Sequence, residues 1–255
     1  GRRRSDTLTD RERLDRCTGR LLGKVRRTCR RWDLTPENAR VAVAISGGVD
    51  SLAMAYLLVR NNPTLRSPLD LRGFHVRLGA EGPTEGVTEE VRAFCADIGL
   101  GLEEVMPRFE VTDVAPFDCY RCARVRRRTL LEVASGAGYS HLSLGHHADD
   151  VVETWLLSLF YTGRGDALSP SRSYFEGAVT VVRPLYELRK PEIERLARLA
   201  SFPTASPVCG RENDARRRRV ADALASLGRD QKVVRRQLFW AAVRQLEDSG
   251  LDREE

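Results

Sequence analysis

No apolar run in this chain approaches the roughly 20 residues needed to span a bilayer. Runs such as VAVAI at 41–45 and WLLSLF at 155–160 have the length of a strand or a short helix segment. The arginine-rich start, GRRR, lacks the apolar core of a secretory signal. There is no internal repeat, and no low-complexity linker beyond the Gly/Pro-rich turn LGAEGPTEG at 78–86. These absences exclude a membrane-spanning helix and a solenoid, and the expectation is a soluble, cytoplasmic protein. With 255 residues, 42% of them hydrophobic, the chain can bury the core of one large α/β domain with a small helical appendage.

Acidic residues are outnumbered, 36 Asp+Glu against 42 Lys+Arg, which leaves a net charge of +6. The excess is arginine gathered in runs: KVRRTCRR, RCARVRRR, ARRRR and VVRRQ. Such stripes suit nucleic acid, because each neutralised phosphate releases a counterion and the guanidinium pairs phosphate through a fork of donors. The alternative is a set of solvated helix faces.

Strand and helix patterns alternate along the chain. RVAVAI at 40–45 is a continuous apolar run followed by helical spacing in DSLAMAYLLVR at 50–60. Further strands are read in LDLRGFHV, GLEEVMP, HLSLGHH and TVVRPL, with helices between and after them, the last being KPEIERLARLA at 190–200. Five strands alternating with helices predict a doubly wound, parallel five-stranded sheet of the α/β class. The chain divides into a basic helical extension over 1–32, the α/β domain over 33–210 and a helical extension over 211–255.

Ligands of such sheets lie beyond the carboxyl ends of the strands, where strand order reverses. SGGVDS at 46–51 stands there. Ser46, Gly47 and Gly48 let the backbone turn tightly against an anion, Ser51 offers a hydroxyl, and the next helix directs its positive end at phosphates. The lysine of the usual P-loop is missing. A carboxylate at Asp50 repels phosphate unless a cation intervenes, so Asp50 is read as linked to magnesium, with a helix-capping role as the alternative. GHHADD at 145–150 brings Gly145, His146, Asp149 and Asp150 to the same edge: His146 near the phosphates, Asp150 on magnesium or the attacking oxygen, or the two aspartates as acids of the helix start. His147 reads as structural and Lys190 as a residue on a solvated helix start. Arg183 is placed to reach phosphate.

Six cysteines point to metal or redox chemistry. Cys119 and Cys122 form a CxxC pair and Cys209 stands far downstream. Three thiolates are one short of a closed tetrahedral site; a redox disulfide with a lone Cys209 is the alternative. Cys17, Cys29 and Cys95 occupy helical positions among apolar or basic neighbours and read as incidental.

The strand, SGGVDS and helix together resemble the PP-loop ATP pyrophosphatases, which cleave ATP between its α and β phosphates to adenylate a substrate oxygen. From Val41 to about Arg219 the chain is similar to the tRNA 2-thiocytidine synthetase branch, through CxxC with its arginine-rich helix, GHHADD, FYTGR, VVRPL, FPTASPVCG and REN. It departs in SPVCG, which carries one cysteine where that branch commonly shows a pair. The resemblance implies an ATP-dependent tRNA sulfurtransferase in which Cys119, Cys122 and Cys209 hold a [4Fe–4S] cluster. Ser46, Gly47, Gly48 and Ser51 would hold pyrophosphate, Asp50 and Asp150 magnesium, and Gly145, His146 and Arg183 would stand by the phosphates. His75 would meet the adenine. Arg126, Arg127, Arg217 and Arg218 would bind tRNA, sulfide or a persulfide would supply sulfur, and a homodimer is allowed. Two other readings stay open: an amine- or ammonia-dependent PP-loop ligase of the lysidine-synthetase kind, and a catalytically inactive, cluster-bearing sensor of RNA or nucleotide.

Overall fold

The computed structural model describes residues 8–78, 87–108, 119–203 and 215–249. A single sheet carries six strands in the order β3-β2-β1-β4-β6-β5: β1 Arg40–Ala44, β2 Asp70–Val76, β3 Leu102–Val105, β4 His141–Ser143, β5 Ser171–Tyr174 and β6 Val179–Val182. All pairings are parallel except β5 with β6. The five expected strands are therefore present, and among the described residues the count is corrected to six. The added strand, SRSY, closes an edge hairpin through Phe175, Glu176 and Gly177, all at positive φ. Its short polar sequence carries no apolar run because Arg172 and Ser173 face solvent.

Alternation along β1 divides the two core layers. Val41, Val43 and Ile45 pack with helix α1 (Asp10–Arg31), α2 (Val49–Asn61) and α6 (Lys190–Leu199). Ala42 faces the other way, into a cluster with Phe74, Leu142, Val181 and the apolar side of α4 (Cys119–Gly136). Helix α3 (Glu89–Asp97) covers the β3 edge, held through Val91 and Cys95. From Ser51 to Leu58 every residue of α2 is buried, as expected of a helix apolar on all sides. A third cluster joins α5 (Ala148–Thr162) to α7 (Ala215–Ala225) and α8 (Gln231–Ser249) through Tyr186, Phe239 and Val243.

The basic first helix is part of the core. Thr9 and Glu12 form a capping box at its start, Leu21 and Val25 are fully buried, and Lys24 donates to Glu192 of α6 at 2.9 Å. Among the described residues no helix is long and apolar enough to cross a membrane. Leu21→Ala should lower the unfolding free energy by about 2–5 kcal/mol, seen as a fall in the urea midpoint; an unchanged midpoint would mean that α1 is dispensable to the core.

Candidate active site

Strand order reverses between β1 and β4, and the loops leaving these two strands make the site. After Ile45 the chain turns through Gly47 at φ 82°, a conformation that favours glycine, and enters α2 at Gly48. Ser51 ties the turn together: its hydroxyl donates to the Gly48 carbonyl at 2.8 Å and accepts the Ser46 amide at 3.1 Å. Among the described residues no side chain caps the start of α2. Its first amides are thus left for an anion, with the helix dipole behind them.

Gly145, leaving β4, packs directly on this first turn. A Cβ there would stand 3.0 Å from the Asp50 carbonyl carbon and oxygen and 3.1 Å from the Ser51 amide. The GHH stretch thereby places His147 beside Asp50. The imidazole Nε2 stands 3.5 Å from Asp50 Oδ1, while its Nδ1 is 3.3 Å from Asp150 Oδ2. Asp150 also accepts the His147 backbone N–H at 2.9 Å.

Lys190 completes the arrangement. From the first turn of α6 its Nζ donates to both Asp50 oxygens at 2.8 Å, and its backbone N–H donates to Asp149 Oδ2 at 2.7 Å. Arg235 of α8 holds the other Asp149 oxygen at 3.1 Å. Lys190 is therefore a partner of the loop carboxylate and not the solvated residue expected from sequence, and His147 has an electrostatic place beyond a structural one. A signal for Lys190 existed: a cation in the first turn of a helix works against the dipole.

The charges follow. Burial opposes ionisation of Asp50, but His147 and Lys190 outweigh it and hold its carboxyl below the usual range. For His147, burial disfavours the charged ring, yet the hydrogen bond to Asp50 and the field of Asp150 raise its pKa above 6.5. Its neighbour behaves oppositely. Burial and then Arg183 push His146 down to about 4, so the ring is neutral, and its Nδ1 accepts from Arg183 Nε at 3.3 Å. Arg183 is itself 5% exposed, with burial lowering its pKa to about 10.

His75, at the end of β2, sits 2.8 Å by Nδ1 from the Ile45 carbonyl. With Nδ1 as the donor, Nε2 becomes an acceptor, buried and, among the described residues, without a partner. Arg127 on α4 and Arg217 on α7 both act on His146, which brings two of the predicted RNA-binding arginines toward this edge. Arg127, Arg217 and Arg218 are exposed, and Arg126 is half-buried. Beside them, at the end of α5, Phe160 and Tyr161 are exposed, and Arg216 lies 4.7 Å over the Tyr161 ring.

Cys122 is half-buried in the first turns of α4. Cys119 begins that helix, and Cys209 lies outside the described residues. Cys17, Cys29 and Cys95 are buried, and desolvation raises each thiol, Cys29 to about 12 and Cys95 to about 11.

A PP-loop domain model matches residues 21–223. A tRNA-cytidine(32) 2-sulfurtransferase of Citrifermentans bemidjiense is 33% identical over 251 residues, covering 92% of this chain and 95% of that protein. The chain belongs to this PP-loop family of tRNA-cytidine 2-sulfurtransferases. The enzyme of that name from Geobacter metallireducens is also 33% identical, over 88% of each chain. In fold, the PP-loop chain is similar to a U34-tRNA thiolase from Methanococcus maripaludis that was solved with its [4Fe–4S] cluster. The TM-score is 0.74 at 23% identity, covering 91% of this chain and 80% of that one.

Asp50 thus sits between Lys190 at the start of α6 and His147 at the N-cap of α5. Because the folded pKa of His147 is raised, its pairing stabilises the protein fully below about pH 6.5 and is lost as pH rises through the folded value. Asp50→Asn should lower the titration midpoint of the His147 ring in NMR spectra; an unmoved midpoint would contradict the pairing.

Proposed function

We propose that this chain is an ATP-dependent, [4Fe–4S]-dependent tRNA sulfurtransferase that adenylates the C2 carbonyl of a cytidine and replaces its oxygen with sulfur. The observation that carries the reading is the uncapped start of α2 behind the SGGVDS turn, with Asp50 held by Lys190 and His147 at the same edge. Oxide is a poor leaving group. Attack of the base oxygen on the α-phosphate of ATP converts it to AMP, with pyrophosphate departing, and hydrosulfide then displaces AMP; where a persulfide is the donor, two thiols first reduce its S–S bond, forming a disulfide and releasing the outer sulfur as hydrosulfide.

Each residue of the turn has a task in that scheme. Ser46, Gly47, Gly48 and Ser51 hold the departing pyrophosphate through backbone amides and a hydroxyl. Asp50 and Asp150, about a third and a fifth exposed, offer the hard oxygens that suit magnesium, which takes one or two carboxylates and completes its shell with phosphate and water. Among the described residues no cluster of His, Cys, Asp and Glu would close around a metal without such a substrate. Neutral His146, fixed by Arg183, and Gly145 line the phosphate side. The unpartnered His75 Nε2 is an acceptor suited to the exocyclic amine of adenine.

The donor chemistry also fits the cluster. Cys122 and Cys119 lie in the first turn of α4, where the dipole favours thiolate, and thiolate is the ligand iron requires. Cys209 would be the third ligand. The three buried cysteines, with raised pKa values, do not fit. When bound, such a cluster supplies an iron position free of protein ligands for the sulfur nucleophile. Exposed arginines close to Phe160 and Tyr161 suit unpaired RNA, and a tRNA substrate is consistent with a cytoplasmic reaction.

In the anaerobically reconstituted protein, Asp50→Ala should abolish tRNA-dependent pyrophosphate release while the melting transition persists. Cys122→Ala should keep ATP binding and lose iron and thiolation. Pyrophosphate release at the parental rate by Asp50→Ala, or thiolation by Cys122→Ala, would overturn the assignment.

A further inference from the structure

Behind the Asp149 carboxylate lies a cavity of about 220 Å³, walled by α1, α5, α8 and the segment leading into α6. Neither Asp50, the glycine turn nor a cysteine is among its described lining residues. Its mouth is cationic: Lys24, Arg27, Arg189, Arg235 and Arg236 stand against Asp149 and Glu187. Its floor is apolar and aromatic, formed by Val152, Phe239 and Trp240. Three of these cations already have acidic partners: Lys24 and Arg189 on Glu192, and Arg235 on Asp149 and Glu153. Arg27 and Arg236 are exposed, and among the described residues neither has an ion pair.

We infer that this cavity holds one unpaired nucleotide of the tRNA, distinct from the nucleotide that reacts. The inference rests on the proposed tRNA substrate and adds where a second contact is made. An aromatic floor takes the face of a base of any sequence, and a ring of guanidinium groups takes its phosphates. The volume lies below that of pockets built for whole drug-sized ligands, which is the scale of a single base with its sugar-phosphate at the mouth. The unmatched charge of Arg27 and Arg236 is what a polyanion would satisfy. Asp149 shares its carboxylate between Arg235 and the Lys190 amide, so the cavity wall and the cage around Asp50 are one hydrogen-bonded unit. A nucleotide seated here would fix the RNA against the edge where ATP is cleaved.

The test compares R27E/R236E with R11E/R198E, which alters two exposed arginines outside the cavity by the same net charge. Binding of tRNA by R27E/R236E should weaken at least tenfold relative to R11E/R198E. Its slope of log affinity against log salt should shrink by about two, one for each lost phosphate contact. ATP affinity without tRNA and the melting midpoint should match the parent. A short unpaired oligoribonucleotide should compete with tRNA, and tripolyphosphate should compete far less well. Equal tRNA affinities of the two variants, or tripolyphosphate competing as well as the oligoribonucleotide, would overturn the nucleotide site and leave the proposed reaction standing. Failure of the parent to bind tRNA would instead remove the proposed reaction, and the site with it.

Discussion

A carboxylate beside a glycine turn and an uncapped helix start is the constraint around which this molecule is arranged. Asp50 stands one residue inside the helix whose free amides are proposed to receive phosphate, where an unbalanced negative charge would repel such a ligand. Balance comes from two distant parts of the chain, Lys190 on α6 and His147 at the head of α5. With about a third of each side chain exposed, the Asp50–Lys190 pair is worth on the order of 1 kcal/mol or less. Its importance is positional. The pair holds α6 against α2, Glu192 holds α6 against Lys24 of α1, and Asp149 joins α6 to α8. The terminal helices thereby brace the crevice from outside the sheet.

Two kinds of ligand chemistry are proposed for this sheet edge. Oxygen donors and backbone amides at the ends of β1 and β4 suit phosphate and magnesium, and the CxxC pair at the start of α4 offers soft sulfur donors. A doubly wound sheet brings them to one edge because every parallel strand ends on the same side, whatever its place in the sequence. The adjacent histidines illustrate how finely position decides chemistry. His146, half-buried against Arg183, is kept neutral, whereas His147, between two aspartates, is driven toward the charged form.

Much of this was legible in the sequence, and the reasons differ by element. The apolar run RVAVAI ending in two glycines carries its own signal, since burial on both faces and a turn of positive φ each leave a local mark. CxxC and GHHADD are local as well. β5 left no such mark, because an edge strand with one solvent face needs no apolar run. The contact of Lys190 leaves little mark in the sequence because its partner lies 140 residues away and nothing near it records that contact, apart from its unfavourable place at a helix start. The role of His147 depends on Gly145 packing against Asp50, a three-dimensional approach that no pattern along the chain encodes. The cavity under α8 is likewise assembled from four separated segments.

The account turns on whether a cytidine in tRNA receives sulfur through this chain. Nucleoside mass spectrometry of total tRNA from cells lacking the protein, complemented with the parent chain or with Cys122→Ala, tests it most directly. The account predicts 2-thiocytidine with the parent and none in the deletion or with the variant. Unchanged 2-thiocytidine in the deletion strain would contradict it.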